Sequence, residues 1–405
     1  MTNSRPPAPF SGSFTIPELG VERRWSLAGD MDPALIPQVI RLLERSFNGG
    51  PLWFNLPVDR GDHIRWKYYD APEGALVLLT FDEHGRLMGF VGSPFHRWLL
   101  RGESHRSADG TDQARDPDWQ GQGLSRILRA RRDEMRHPEV EFGLAYATHP
   151  VDIHIAEANG MWPIANAIQT LERPLGIGPL LPNRLRGTGS SPATTEARSR
   201  TAEVIRQEQL TARDRLRNRA REYGYYARSI AGRRPAGSRG FRITTTERFD
   251  ERFEAFIAVA SGAFDFIHER SLAFLNWRYR DARAGSFVVR AVEHGDDVLG
   301  YIATRIDGQR ARIGDLLVLP NRDDVTAALL EDAISLGRRH GVSTLEMRLA
   351  KRHPYRGAAH RAGFVVRRET AGETIETYGD RLPELTLLRD PNAQVHITLG
   401  DSDHM

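Results

Sequence analysis

Cysteine is absent from all 405 residues. That removes disulfides, thiolate metal sites and a cysteine nucleophile at once. Long hydrophobic runs are missing as well: none approaches the ~20 residues that a membrane span needs, and the longest strand-like candidate is Ala75–Phe81. A soluble chain with no membrane partner is expected. Met1–Gly20 is rich in Pro, Ser and Gly and carries neither the basic nor the apolar region of a secretory signal, so the expected address is the cytoplasm. His149 and His154 have no partner at metal-ligand spacing, and no metal is expected.

A broadly basic surface is also lacking, although the net charge is +3 and the pI is near 9.3. Between Arg184 and Gly240 fourteen arginines face five acidic residues, so this segment carries +9 and the rest of the chain −6. The basicity belongs to a connector and gives little warrant for a nucleic-acid partner. Within it Gly187–Pro192 reads as a flexible break, Ala197–Arg221 as a helix-compatible Arg-rich stretch and Ala231–Gly240 as further linker. A solvated bridging helix is one reading of that stretch, and a patch for phosphate or an acidic partner is the other.

What the chain does contain is 40% apolar and 27% charged residues, a globular composition at a length that calls for two or three domains. An internal repeat sets the number. His63–Ala71 (His-Ile-Arg-Trp-Lys-Tyr-Tyr-Asp-Ala) matches Phe274–Ala282 (Phe-Leu-Asn-Trp-Arg-Tyr-Arg-Asp-Ala) in its Trp, basic, Tyr, Asp and Ala positions. The likeness continues through the strand pair Ala75–Thr80 and Ser286–Ala291, the turns Glu83–Gly85 and Glu293–Gly295, and the strand openings Met88–Phe90 and Leu299–Tyr301. Asp112 to Pro117 and Asp315 to Pro320 then share one spacing. Duplicated Trp66 and Trp277 read as core anchors. Each copy is expected to run helix, three antiparallel-type strands, helix, strand, helix, strand, an α/β fold with a mixed sheet. The expected organisation is a tail at 1–20, a first domain at 21–185, the connector at 186–240 and a second domain at 241–405.

The sharpest local feature is Asp116–Ser125, Asp-Pro-Asp-Trp-Gln-Gly-Gln-Gly-Leu-Ser, between a strand ending at Arg115 and a helix beginning near Leu124. Two glycines let backbone N–H groups converge where a helix N-terminus adds positive potential, which makes an anion cradle. It lacks the Gly-Lys-Ser/Thr ending of a Walker loop and the spacing of a dinucleotide fingerprint.

Gln120, Gly121, Gln122, Gly123, Leu124 and Ser125 resemble the Gln/Arg-x-x-Gly-x-Gly/Ala loop of the GCN5-related N-acetyltransferase (GNAT) superfamily. Phe142–Thr148 followed by Ile153–Trp162 is similar to its later strand and helix, with Arg361–Phe364 as the counterpart in the second copy. Gly400-Asp401-Ser402-Asp403 fits the ending of bacterial tandem-domain members. The resemblance implies two tandem GNAT-like domains from about Val21 onward, joined by the basic helical linker. It further implies acetyl-CoA as co-substrate, its pyrophosphate held by residues 120–125, and N-acetyl transfer to a small-molecule or peptide amine. In the second copy Asn321–Thr326 has no glycine and carries Asp323 and Asp324 where a pyrophosphate would sit, so only the first domain is expected to bind CoA. Backbone amides of Gln113, Ala114 and Arg115 would hold the thioester oxygen and pantetheine.

An amine acceptor of pKa about 10.4 must lose a proton, at a cost of roughly 4.6 kcal/mol at pH 7. Asp112 is the candidate base and Asp109 the reserve, although Asp315 at the equivalent place in the second copy points to a structural role. The superfamily's usual tyrosine acid is replaced by Ala156 and Ala359; a thiol of pKa about 8.5 can leave with help from water. Asp401 and Asp403 are candidate substrate ligands if the C-terminal strand returns to the cleft, and a solvated tail if it does not. Two other functions stay open: aminoacyl transfer from tRNA, as in the peptidoglycan-bridge enzymes, and a non-catalytic CoA-binding or partner module.

Overall fold

Asp32 accepts a hydrogen bond from the Ala34 amide and Pro33 opens the turn that leads into α1 (Ile36–Ser46). Ile36, Val39, Leu42 and Leu43 then fall on one face by the helical period and are buried. The computed structural model describes residues 10–47, 49–119, 137–147, 160–175, 241–366, 372–377 and 382–402. Outside them lie the extreme N-terminus, the Gln120–Ser125 loop with the helix expected after it, the expected helix after Asp152 with Ala156, His149 and His154, the Arg-rich connector, and Asp403.

The chain divides into two units. Unit 1 takes Met1–Arg97, His105–Ala145 and Thr377–Leu382. Its sheet starts with β1 (Ser11–Ile16), β2 (Val21–Leu27), β3 (Ala75–Phe81) and β4 (Leu87–Leu100), successive antiparallel neighbours. A two-residue turn at Arg101 and Gly102, both at positive φ, leads to β5 (Glu103–Asp109). Gly110 interrupts the path, and β6 (Thr111–Arg115) pairs with β4 while β5 pairs in parallel with β7 (Phe142–Ala147). Val77, Leu79, Phe81 and Phe90 pack with α1 and with Ile64 of α2 (Arg60–Ile64) on one face. Phe14, Val21 and Met88 form a smaller cluster.

Unit 2 takes Trp98–Ser104, Tyr146–Glu376 and Pro383–Met405. Two short pairs belong to it: β8 (Trp162–Pro163) with β17 (Gly372–Thr377), and β11 (Phe266–His268) with both β18 (Val395–His396) and the end of β4. Its seven-stranded sheet combines β9 (Ile168–Pro174), β10 (Arg242–Thr245), β12 (Phe287–His294), β13 (Asp297–Asp307), β14 (Arg310–Val318), β15 (Thr344–Ala350) and β16 (Val365–Val366) in the order β10-β12-β13-β14-β15-β9-β16. The helices are α3 (Arg252–Ser261), α4 (Leu272–Tyr279), α5 (Asp323–Arg339) and α6 (Arg356–Arg361).

β9 is the strand expected to close the first domain, yet it is internal to the sheet of unit 2, with Leu171 opposite both Met347 and Val366. Ile168, Thr170, Leu171 and Glu172 are all buried, a strand covered on both faces and paired on both edges. The packing therefore separates the chain at different places from the 185 and 241 boundaries.

Candidate functional site

The strand pair that opens is decided by one glycine. β5 follows β7 as far as Asp109 opposite Leu144, and after Gly110 the chain stays with β4 alone. Among the described residues one edge of β6 is thus left without a strand partner. The Asp116 amide donates to the Met88 carbonyl at 2.7 Å, so strand alternation turns the Ala114 amide to β4 and the Gln113 and Arg115 amides to the open edge. Of the three amides expected to serve a thioester and pantetheine, two face the opening. Ala114 is instead buried in the core.

Asp112 sits just past the vertex with φ of 46°. Its Oδ2 accepts from Lys67 Nζ at 2.7 Å and from the Tyr68 hydroxyl at 2.8 Å, and its Oδ1 accepts from Trp53 Nε1 at 3.0 Å. The Asp112 and Lys67 side chains are 4% and 2% exposed, so the pair exists only as a neutralised unit: either charge alone would be costly. The duplicated Trp-basic-Tyr element is what supplies these donors. Tyr68 also bonds Thr111 at 3.1 Å, and a Cβ on Gly92 would stand 2.2 Å from its ring. A carboxylate holding three donors beside a cation anchors the Trp-basic-Tyr element to the strand.

Asp109 lies at the vertex itself, 1% exposed, accepting from Ser107 Oγ at 3.0 Å. His96 of β4 places Nε2 3.8 Å from Asp109 Oδ2. An imidazole backed by a buried carboxylate is the arrangement that can accept a proton and hold it. Sequence reasoning passed over His96. The Arg101-Gly102 turn could have found it, because a two-residue hairpin sets His96 across from Ser107 and diagonal to Asp109.

In unit 2 the corresponding strand, β14, follows β15 only through Arg310–Arg312 and then bulges at Gly314. Here the opening holds the C-terminal segment. A Cβ on Gly400 would lie 2.9 Å from the Gly314 carbonyl, and the buried Arg270 bridges Asp315, at 3.1 Å, and Asp401, at 2.9 Å. His396 Nε2 reaches Asp315 at 3.3 Å and His396 Nδ1 reaches His353 Nε2 at 2.8 Å. Arg278, the repeat partner of Lys67, donates to the carbonyls of Gly400 and Ser402.

No family sequence model matches the chain, and no curated protein matches it in sequence. Its structure is similar to a tandem GNAT protein from the clavulanic acid biosynthesis pathway, with a TM-score of 0.52 at 14% identity over 88% of this chain and 98% of that one. It is also similar to the N-myristoyltransferase of Saccharomyces cerevisiae with bound myristoyl-CoA (0.52, 12%, 87% and 82%) and to a GCN5-related N-acetyltransferase of Anabaena variabilis (0.51, 11%, 87% and 72%). The chain carries the GNAT fold.

Within that fold the expected residues fare differently. Asp109, Asp112, Gln113, Ala114 and Arg115 come together around the split at Gly110. Gln120–Ser125 and Asp403 lie outside the described residues. Asp401 is buried in unit 2 and is no solvated tail: its Oδ2 accepts from Thr398 at 2.7 Å (amide) and 2.9 Å (hydroxyl), closing a capping box, and also from Arg270 at 3.0 Å. Burial raises the Asp315 pKa, but the Arg270 charge and the His396 hydrogen bond outweigh it and hold the carboxyl well below the usual carboxylate range. Ala359, at the expected tyrosine position, is fully buried. Among the described residues no group of His, Asp or Glu could hold a metal ion.

Proposed function

We propose that the chain is an acyl-CoA-dependent N-acyltransferase, with acetyl-CoA as donor and a primary amine as acceptor. The observation that carries the reading is the open edge of β6. Its Gln113 and Arg115 amides suit an extended, amide-bearing arm such as pantetheine, and the same amides suit the oxygen of a thioester as it gains charge. CoA would supply the activated acyl carbon. The amine nitrogen bonds to that carbon, the C–S bond breaks and CoA leaves as thiolate. Attack is direct, since no cysteine exists to form a thioester enzyme.

The proton leaves through His96, with buried Asp109 steadying the imidazolium. Asp112 is the positioning residue that holds Lys67, Tyr68 and Trp53 against β6. The C-terminal segment in the split of unit 2, together with Asp323 and Asp324 at the start of α5, supports one CoA site per chain.

Activity is tested by incubating the protein with labelled acetyl-CoA and a cell extract and identifying the labelled product by mass spectrometry. A new amide on an amine is expected, and its loss in His96→Gln with CoA affinity unchanged. Label transfer undiminished by His96→Gln would remove that residue from the proton path.

A further inference from the structure

One row of residues crosses four strands of unit 1. Arg23 of β2 is register partner of Thr80, Thr80 of Gly89, and Gly89 of Arg115, so all four side-chain positions share one sheet face. Two of them are guanidinium groups that pair with no carboxylate among the described residues. Arg23 is 2% exposed, and its Nε has no hydrogen-bond partner among the described residues. The carboxylates near it in sequence or along the row are committed elsewhere: Glu22 to Arg24, and Asp116 and Asp118 to Arg45. Burial, with the repulsion of Arg115 added, pulls the Arg23 pKa down to about 9, and burial lowers Arg115 too. Thr80 is fully buried, and its hydroxyl also lacks a partner. That hydroxyl lies 2.9 Å from where a Cβ on Gly89 would stand.

Unit 2 shows what this row is when its only task is packing. The register partners there are Ile243, Val292, Gly300 and Val318, and the place above Gly300 is filled by Val318 and by Val325 of α5 at 3.0 and 3.2 Å. Three apolar side chains in one copy are replaced by Arg, Thr and Arg in the other. A buried cation, Arg23, beside a half-buried one, Arg115, with no carboxylate partner among the described residues is a standing cost, and an anion that arrives from outside offsets it.

We propose that Arg23, Thr80 and Arg115, with the side-chain-free Gly89 between them, form a phosphate-binding site. The chemistry is that of phosphate oxygens meeting guanidinium N–H groups and a hydroxyl donor. Its source is a phosphate of the acyl-CoA co-substrate, because Arg115 precedes the glycine loop by five residues; this part rests on the acyltransferase reading, whereas the anion site does not.

The test is thermal unfolding of the full chain in inorganic phosphate against chloride of equal ionic strength, followed by calorimetry with CoA and with pantetheine. Phosphate is expected to raise the wild-type midpoint saturably, and to displace CoA. Arg23→Gln is expected to raise the midpoint without phosphate, since a buried uncompensated charge is gone, and to abolish the phosphate response. CoA should bind this variant ~10-fold or more weakly, with pantetheine unaffected. Thr80→Val, close in shape, should reduce the phosphate response and guards against a folding defect in the arginine variant. An equal phosphate response in wild type and Arg23→Gln, or none in wild type, overturns the site. Phosphate that stabilises beyond saturating CoA overturns the CoA source and leaves free phosphate as ligand. A phosphate response without any CoA binding keeps the site and overturns the acyltransferase reading.

Discussion

Lys67 is one of only two lysines in the chain, the other being Lys351, and it is spent on a buried carboxylate. Lys67→Met leaves Asp112 charged and alone, which costs about 3–5 kcal/mol. Urea denaturation should read that loss, and adding Asp112→Asn to the same chain should recover much of it; a loss below about 1 kcal/mol would mean that the pair is not what holds the Trp-basic-Tyr element to β6. The function of this aspartate was only half legible. Its repetition as Asp315 pointed to structure, while its strand position pointed to catalysis. Contacts that span 45 and 59 residues, to Lys67 and Trp53, settle the matter of its neighbours, and no local pattern announces them. Arg23 was silent for the same reason: within β2 it is one of two adjacent arginines, and only the register with Thr80 reveals which of them is buried.

At the scale of elements, helices and hairpins were readable because their causes are local. Asp32 and Pro33 start α1, Gly85 and Gly295 at positive φ turn the hairpins, and Gly110 ends one pairing. β9 was not readable as to sheet, since an apolar strand of seven residues fits any edge of the right length. Its place predicts that residues 241–405 made alone will fail to unfold cooperatively, having lost the strand between β15 and β16, and that a chain beginning at residue 160 will do so. Equal melting curves for the two would place the stability of the sheet elsewhere.

The C-terminal segment carries a pH dependence that belongs to this scale. His353 is buried among Phe264, Tyr355 and His396, and its Nδ1 accepts the Tyr355 amide. Desolvation first, then His396 and Arg356, hold its pKa well below 6.5, against the pull of Asp315. In the folded chain it therefore stays neutral where the unfolded chain takes up a proton. Its stabilisation is complete above the unfolded value of about 6.5 and is lost as pH falls from there toward the folded value. The melting midpoint should drop between pH 7 and 5, and His353→Gln should flatten that slope; an unchanged slope in the variant would assign the acid sensitivity to other groups.

For the whole molecule, one duplicated unit serves two ends. The same strand splits from its neighbour at Gly110 in unit 1 and at Gly314 in unit 2. One split leaves β6 open, and the other is filled by Gly400, Asp401 and His396 around Asp315 and Arg270. The sheet row beside it diverges in parallel, apolar under α5 in unit 2 and doubly cationic in unit 1. The fold was legible because a repeat with fixed spacing constrains two halves at once. The inequality of the halves was legible only in part, from Gly121 and Gly123 against Asp323 and Asp324, since nothing in a sequence shows that a chain end returns to occupy its own cleft.

The measurement that tests this most directly is a calorimetric titration of the intact chain with CoA. Binding of about one CoA per chain is predicted, lost when Gly121 and Gly123 are both changed to Asp and kept when Asp323 and Asp324 are both changed to Asn. No binding to the wild-type chain, two CoA per chain, or binding undiminished by the paired glycine substitutions would contradict it.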